Sequence, residues 1–108
     1  MRDQRLPAPV ERLVAATNAG DAEAFLDAFA ADGSVNDWGR VFTGRDAIAR
    51  WSDAEFVGVR VTLSVTAVRE DGDETVVTAD VGGDGFDGPS DFAFRVAGDV
   101  VREMRISG

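Results

Sequence analysis

The sequence predicts an α+β fold, and two observations carry that prediction. In the first half, apolar residues recur mostly at helical spacing, whereas from residue 59 onward they recur every second position, the spacing of half-buried strands. Helices followed by an antiparallel meander place a helical layer against a sheet. At 108 residues the chain has room for one domain, in which roughly 65% of the unfolded chain's surface can be buried. One core and one small pocket fit that size. Residues 7–108 are expected to form the domain, and the polar residues 1–6 a loose start.

Pro7 and Pro9 suit the first turn of a helix along which Val10, Leu13, Val14 and Thr17 recur, and Asn18-Ala19-Gly20 ends it. Asp21 is placed to cap a second helix that buries Phe25, Leu26 and Phe29 and stops at Asp32-Gly33. The two make a helical hairpin. Residues 34–42 then read as one strand, with Val35, Asp37 and Val41 on one face and Asn36, Trp38, Arg40 and Phe42 on the other. Thr43-Gly44-Arg45-Asp46 has the spacing of a capping box for a third helix carrying Ile48 and Trp51, ending near Phe56. Val59, Val61, Leu63, Val65 and Ala67 alternate with polar residues in a long strand that turns at Asp71-Gly72-Asp73. Residues 74–81, 90–97 and 100–106 supply three more strands, the last two joined tightly at Gly98-Asp99.

Composition excludes several chemistries. With 44% hydrophobic and 29% charged residues the chain is an ordinary globule and not a disordered segment. No apolar run approaches 18 residues and no charged-then-apolar leader is present, so neither a membrane span nor a signal peptide is expected, and the expected compartment is the cytoplasm. A net charge of -9, with eleven scattered arginines and no lysine, would repel a phosphate backbone, so no nucleic-acid partner is expected. The chain lacks Cys, His and Tyr. Thiolate, imidazole and phenol chemistry are therefore closed to it, no metal and no cofactor are called for, and acid–base work falls to Asp or Glu.

Two strings carry a family resemblance. Asn18-Ala19-Gly20-Asp21 and Ala30-Ala31-Asp32-Gly33-Ser34-Val35-Asn36-Asp37 resemble strings of the ketosteroid isomerases and of the wider SnoaL-like branch of the NTF2-like superfamily. There an Asn-Ala-Gly-Asp string ends the first helix, and an Ala-Asp-Asp-(Ala/Gly)-x-Val-x-Asp string carries the catalytic base. The similarity extends in coarse pattern from about residue 9 to residue 106. It implies a mainly antiparallel curved sheet wrapped around the helices into an NTF2-like cone, with a pocket between them, and a homodimer paired through the sheet. The substrate class it implies is a small apolar cyclic ketone of steroid or polyketide kind, and the activity is that of an isomerase or cyclase. The rival class is a non-catalytic dimer that binds a hydrophobic metabolite or a partner protein.

Carried over residue by residue, the resemblance makes Asp37 the catalytic base. Its strand parity with Val35 and Val41 would turn it into the cone; otherwise it would lie in water at the strand end or pair with Arg40 or Arg45. Asp91 is the second catalytic candidate, where the isomerases carry a protonated Asp as oxyanion donor. Parity with Phe92, Phe94 and Val96 leaves Asp91 outside and Ser90 inside, unless a one-residue bulge intervenes. Leu13 stands where the isomerases have the oxyanion tyrosine. Trp51 corresponds to an aromatic pocket wall, and with Leu13, Ser90, Phe92, Phe94 and Met104 it completes the candidate ligand contacts. Arg102 shares parity with Met104 and Ile106 and could point inward or snorkel to solvent. The string from Gly83 to Gly88 matches a dinucleotide fingerprint in form, but it leads into Pro89 and a strand, so it reads as a hairpin loop. Asp80, Asp84 and Asp87 beside it lack ordered calcium-loop spacing.

Overall fold

In the computed structural model, which describes residues 6–83 and 87–107, Gly20 closes helix α1 (Ala8–Ala19) at φ 70°, the left-handed conformation glycine adopts without strain. Asp21 Oδ1 then accepts the Ala24 N–H at 3.1 Å and opens α2 (Ala22–Asp27). This second helix stops before the expected Asp32-Gly33. The Val101 N–H donates to the Ala28 carbonyl at 2.8 Å and Phe29 pairs with Val101, so sheet formation captures a segment whose alanines favour helix. The resulting strand β1 (Phe29–Asp37) is irregular between Phe29 and Ser34. At Gly33 within it, an added Cβ would lie 3.1 Å from the Ala30 carbonyl oxygen and 3.2 Å from that of Val101.

The single strand expected over 34–42 is instead a hairpin. Trp38 and Gly39, at φ 54° and 94°, turn β1 into β2 (Arg40–Thr43). Two successive positive φ values are the signature of a type I′ turn, which usually takes Asn-Gly or Asp-Gly; a bulky side chain there costs about 1–3 kcal/mol. The turn reverses the assigned faces. Asp37 pairs with Arg40, Val35 with Phe42 and Asn36 with Val41, so Arg40 and Phe42 join Asp37 on the inner face while Val41 is 59% exposed.

Helix α3 (Arg45–Glu55) begins at Gly44, without a side-chain cap. The expected capping box is not made, because Thr43 still belongs to β2 and the N-cap is Gly44, one residue later than the box requires. A 3-10 turn (Val57–Val59) leads to β3 (Thr62–Asp71), which starts later than the alternation suggests. Val61 and Leu63 are buried, but a register shift between Val65 and Ala67 ends the correspondence between alternation and burial. Strands β4 (Glu74–Gly82), β5 (Gly88–Ala97) and β6 (Val100–Ser107) follow as expected, with Gly98 at φ 59° in the last turn.

Among the described residues six strands run in the order β2-β1-β6-β5-β4-β3, antiparallel except where β1 lies parallel to β6. Helices α1, α2 and α3 pack against this curved, open, mostly antiparallel sheet, the expected α+β cone. Phe25, Phe29, Phe92, Phe94, Leu13, Ile48 and Met104 are fully buried between the layers. Asn18 ties α1 to β3 by accepting the Leu63 N–H at 2.6 Å and donating to its carbonyl at 3.0 Å. No helix among the described residues is long and apolar enough to cross a membrane. The loose start expected for residues 1–6 and the tip of the loop after Gly83 lie outside the described residues, save Leu6, Gly83, Asp87 and Gly88.

Candidate functional site

A cavity of about 380 Å³ opens between the C-terminal part of α3, the 3-10 turn and the inner faces of β4, β5 and β6. That volume lies near the lower end of the roughly 300–1,000 Å³ usual for small-molecule sites. Phe56, Val61, Val81, Phe92 and Ile106 give it apolar walls, Ser90 supplies a hydroxyl, and Asp37, Trp38, Trp51 and Glu55 also line it.

Asp37 is the last residue of β1, and its side chain is 15% exposed. Trp51 Nε1 donates to its Oδ2 at 3.0 Å, and Arg40 Nη2 donates to the same oxygen. Oδ1 has no hydrogen-bond partner among the described residues. The indole is held in orientation by its stacking on Phe56 at 5.0 Å and on Phe42 at 6.1 Å between ring centroids. Trp51 therefore aims its donor from a fixed ring, and one oxygen of the carboxylate is anchored while the other has no protein partner among the described residues.

Arg40 bridges two carboxylates. Its guanidinium meets Glu55 as a fork, Nη2 to Oε1 at 2.6 Å and Nη1 to Oε2 at 3.0 Å, and also holds Asp37. The hydrogen bond from Arg40 pulls the Glu55 carboxyl below its ordinary pKa, and those from Glu55 and then Asp37 push the guanidinium further up. Arg40 also sits 5.6 Å over the Phe42 ring. Two carboxylates against one guanidinium leave this cluster with one negative charge.

The candidate residues separate into two groups. Asp37, Trp51, Ser90 and Phe92 come together on the cavity. Ser90 is 5% exposed, and its hydroxyl has no hydrogen-bond partner among the described residues, so a buried polar group faces the cavity unsatisfied. Leu13, Phe94 and Met104 are fully buried but pack in the core instead of lining the cavity. Asp91 faces away from it. Ser90 pairs with Ala79 and Asp91 with Thr78 without the bulge that would turn Asp91 inward, and Asp91 Oδ1 accepts the Thr78 hydroxyl at 2.7 Å. Arg102 also points outward, toward Asp32 at 3.6 Å, because it is the extra residue where the β5–β6 register shifts. Arg45 donates to the Phe29 carbonyl at 2.7 Å and not to Asp37.

Glu55 and Trp38 also line the cavity, beyond the candidates that the sequence offers. Glu55 follows Trp51 by four positions, a spacing that puts both on one helix face, and this signal was available in the sequence. Trp38 carries no such signal, since Trp-Gly is not a habitual turn pair. The glycine-rich string leads into β5 at Gly88, paired with Val81, and not into a helix; its residues 84–86, with Asp84, lie outside the described residues. Among the described residues no group of three or more His, Cys, Asp or Glu could hold a metal ion.

The family model for the SnoaL-like domain matches residues 10–106. No curated protein matches the sequence. Solved structures do. A candidate polyketide cyclase from Sinorhizobium meliloti is 27% identical, with a TM-score of 0.84 over 94% of this chain and 95% of the other. A Catenulispora acidiphila protein with a ketosteroid isomerase-like fold, in complex with trimethylamine, is also 27% identical, with a TM-score of 0.79 over 96% and 87%. A Mycobacterium tuberculosis protein in complex with estradiol-17beta-hemisuccinate shares the fold at 19% identity, with a TM-score of 0.80 over 94% and 93%.

Proposed function

The chain belongs to the SnoaL-like domain family, and on that premise we propose that it is a small-molecule enzyme of ketosteroid isomerase or polyketide cyclase type. Its substrate is a small apolar cyclic ketone. Asp37 Oδ1 removes the proton beside the carbonyl, the C–H electron pair moves toward the carbonyl oxygen, and the Ser90 hydroxyl donates a hydrogen bond to the developing enolate. Asp37 then returns the proton to a carbon of the enolate. Trp51 and Arg40 hold Oδ2 throughout, so the base is oriented before substrate arrives. The observation that supports this most is that a carboxylate with one oxygen anchored and a buried, unpartnered hydroxyl line the same apolar cavity. The similar candidate cyclase and the trimethylamine complex support a small-molecule site. Residues 7–108 act as one SnoaL-like domain, and the working form is a homodimer paired through the sheet.

A second reading, a non-catalytic dimer that binds a hydrophobic metabolite or a partner protein, draws on two specific observations. Leu13 is buried in the core where the isomerases have a tyrosine, and Asp91 is turned outward. Loss of one oxyanion donor costs about a hundred- to a thousandfold in turnover. Screening cyclic ketones for deuterium uptake from solvent separates the readings. Exchange by the wild type that disappears in Asp37→Asn, with ligand binding retained, supports the enzyme; exchange that survives in Asp37→Asn refutes the assigned base. Binding without exchange in either protein favours the binder.

A further inference from the structure

Trp38 occupies a backbone conformation that its side chain disfavours. At φ 54° it holds the first turn position between β1 and β2, where a bulky residue is an outlier. The turn does not need the indole: Asn36 Oδ1 accepts the Gly39 N–H at 2.8 Å, and the Trp38 N–H donates to the Ile106 carbonyl at 3.3 Å, backbone contacts that any residue except proline at position 38 would permit. The ring stacks on no other aromatic ring among the described residues, and Trp38 is 64% exposed. Yet it borders the cavity, next in sequence to Asp37. Strain kept at a site edge, by a residue whose ring the bare fold does not use, is the pattern of a group retained for a ligand.

We propose that Trp38 is an outer ligand-binding residue, a platform that stacks on the second ring of a two-ring apolar substrate and selects such substrates over single-ring ones. This rests on the cavity being a small-molecule site. The cavity of about 380 Å³ runs from Phe92 and Ile106 inside to exposed residues at its rim, so a bicyclic ligand with one ring against the inner wall has its second ring near the mouth, where a single ring does not reach. Trp38 lies at that mouth with Ala54 and Glu55, the lining residues that are exposed, and among the three it alone offers an aromatic face. A ring leaving past Asp37 meets the indole face, burying apolar surface on both sides and gaining offset stacking.

Trp38→Asn tests this without risking the fold, because Asn-Gly is the preferred pair for this turn. The probes are prodan, a neutral bicyclic aromatic ketone, and 4-tert-butylcyclohexanone, a neutral single-ring ketone, titrated by fluorescence and by NMR shifts. The variant should melt at or above the wild-type temperature, bind prodan roughly tenfold more weakly and bind the single-ring ketone within about twofold of wild type. Trp38→Phe should recover most of the prodan affinity. Unchanged prodan binding by Trp38→Asn, or equal weakening of both probes, would overturn the assignment while leaving the cavity reading intact. So would a variant that binds prodan normally but sediments differently, which would make Trp38 a protein contact. Failure of the wild type to bind either ketone would remove the cavity reading and this inference together.

Discussion

The indole N–H of Trp51 donates to Asp37 Oδ2 over 3.0 Å, joining the middle of α3 to the last residue of β1. A hydrogen bond to a charged acceptor contributes more than a neutral one, though Asp37 retains some solvent contact. Trp51→Phe keeps the stacking ring and removes the donor. It should lower stability by about 1–2 kcal/mol in urea unfolding and slow any Asp37-dependent proton exchange roughly tenfold, as the base loses its fixed orientation.

Leu13→Tyr restores the family's residue type but not its setting. Leu13 is fully buried in the core and does not line the cavity. The larger ring should overpack the site and cost about 1–3 kcal/mol, and no proton exchange should be gained. Urea unfolding and the deuterium assay read the two effects. A gain of exchange would show that the ring can reach the cavity after all.

Glu55 makes stability pH-dependent in a predictable direction. Its pKa is below the ordinary 4.5 because of the Arg40 hydrogen bond. A depressed folded pKa stabilises the protein above the unfolded value, and that contribution is lost as pH falls through the folded value. Glu55→Gln should therefore melt lower than wild type at pH 6, and the gap should start to narrow as pH falls past the ordinary 4.5 and close only below the lower folded value. The effect should be small, since both partners are about half exposed. A gap that widens on acidification would contradict the assignment.

Asn18→Ala removes both hydrogen bonds to the Leu63 backbone. Water can replace part of what is lost at this partly exposed site, so the expected cost is about 1–2 kcal/mol. The urea midpoint should move with an unchanged slope.

Thr62, Ser64 and Thr66 leave an exposed, mild surface on β3, suited to pairing across a two-fold axis. Sedimentation equilibrium at micromolar concentration should report twice the 11.5 kDa chain mass. A single species at the chain mass would exclude the dimer under those conditions.

What could be read in advance was local. Gly20 and Asp21 end one helix and cap the next within four residues, Gly98-Asp99 joins β5 to β6, and the parity of Phe92 turns Ser90 inward and Asp91 outward. What could not be read depends on partners remote in sequence. Ala28 ends α2 because Val101 reaches its carbonyl, and nothing near residue 28 encodes that. The faces of residues 40–42 inverted because a Trp-Gly turn was hidden inside an apparent strand. Parity put Phe94 and Met104 on the correct face, but the distance along the strand that separates core from cavity wall is not in the alternation.

The parallel pairing of β1 with β6 sets an order of events for synthesis. Val35 has Met104 as its sheet partner, so synthesis must proceed past residue 104 before β1 can acquire its second neighbour. Until then the β1–β2 hairpin carries an open edge, with Phe29 and Val35 lacking the strand that covers them in the finished fold. Parallel pairing across so long a separation closes slowly. A nascent chain stalled short of β6 therefore presents a sticky, unfinished sheet edge, and β6 is the strand that closes it by joining β1 to β5.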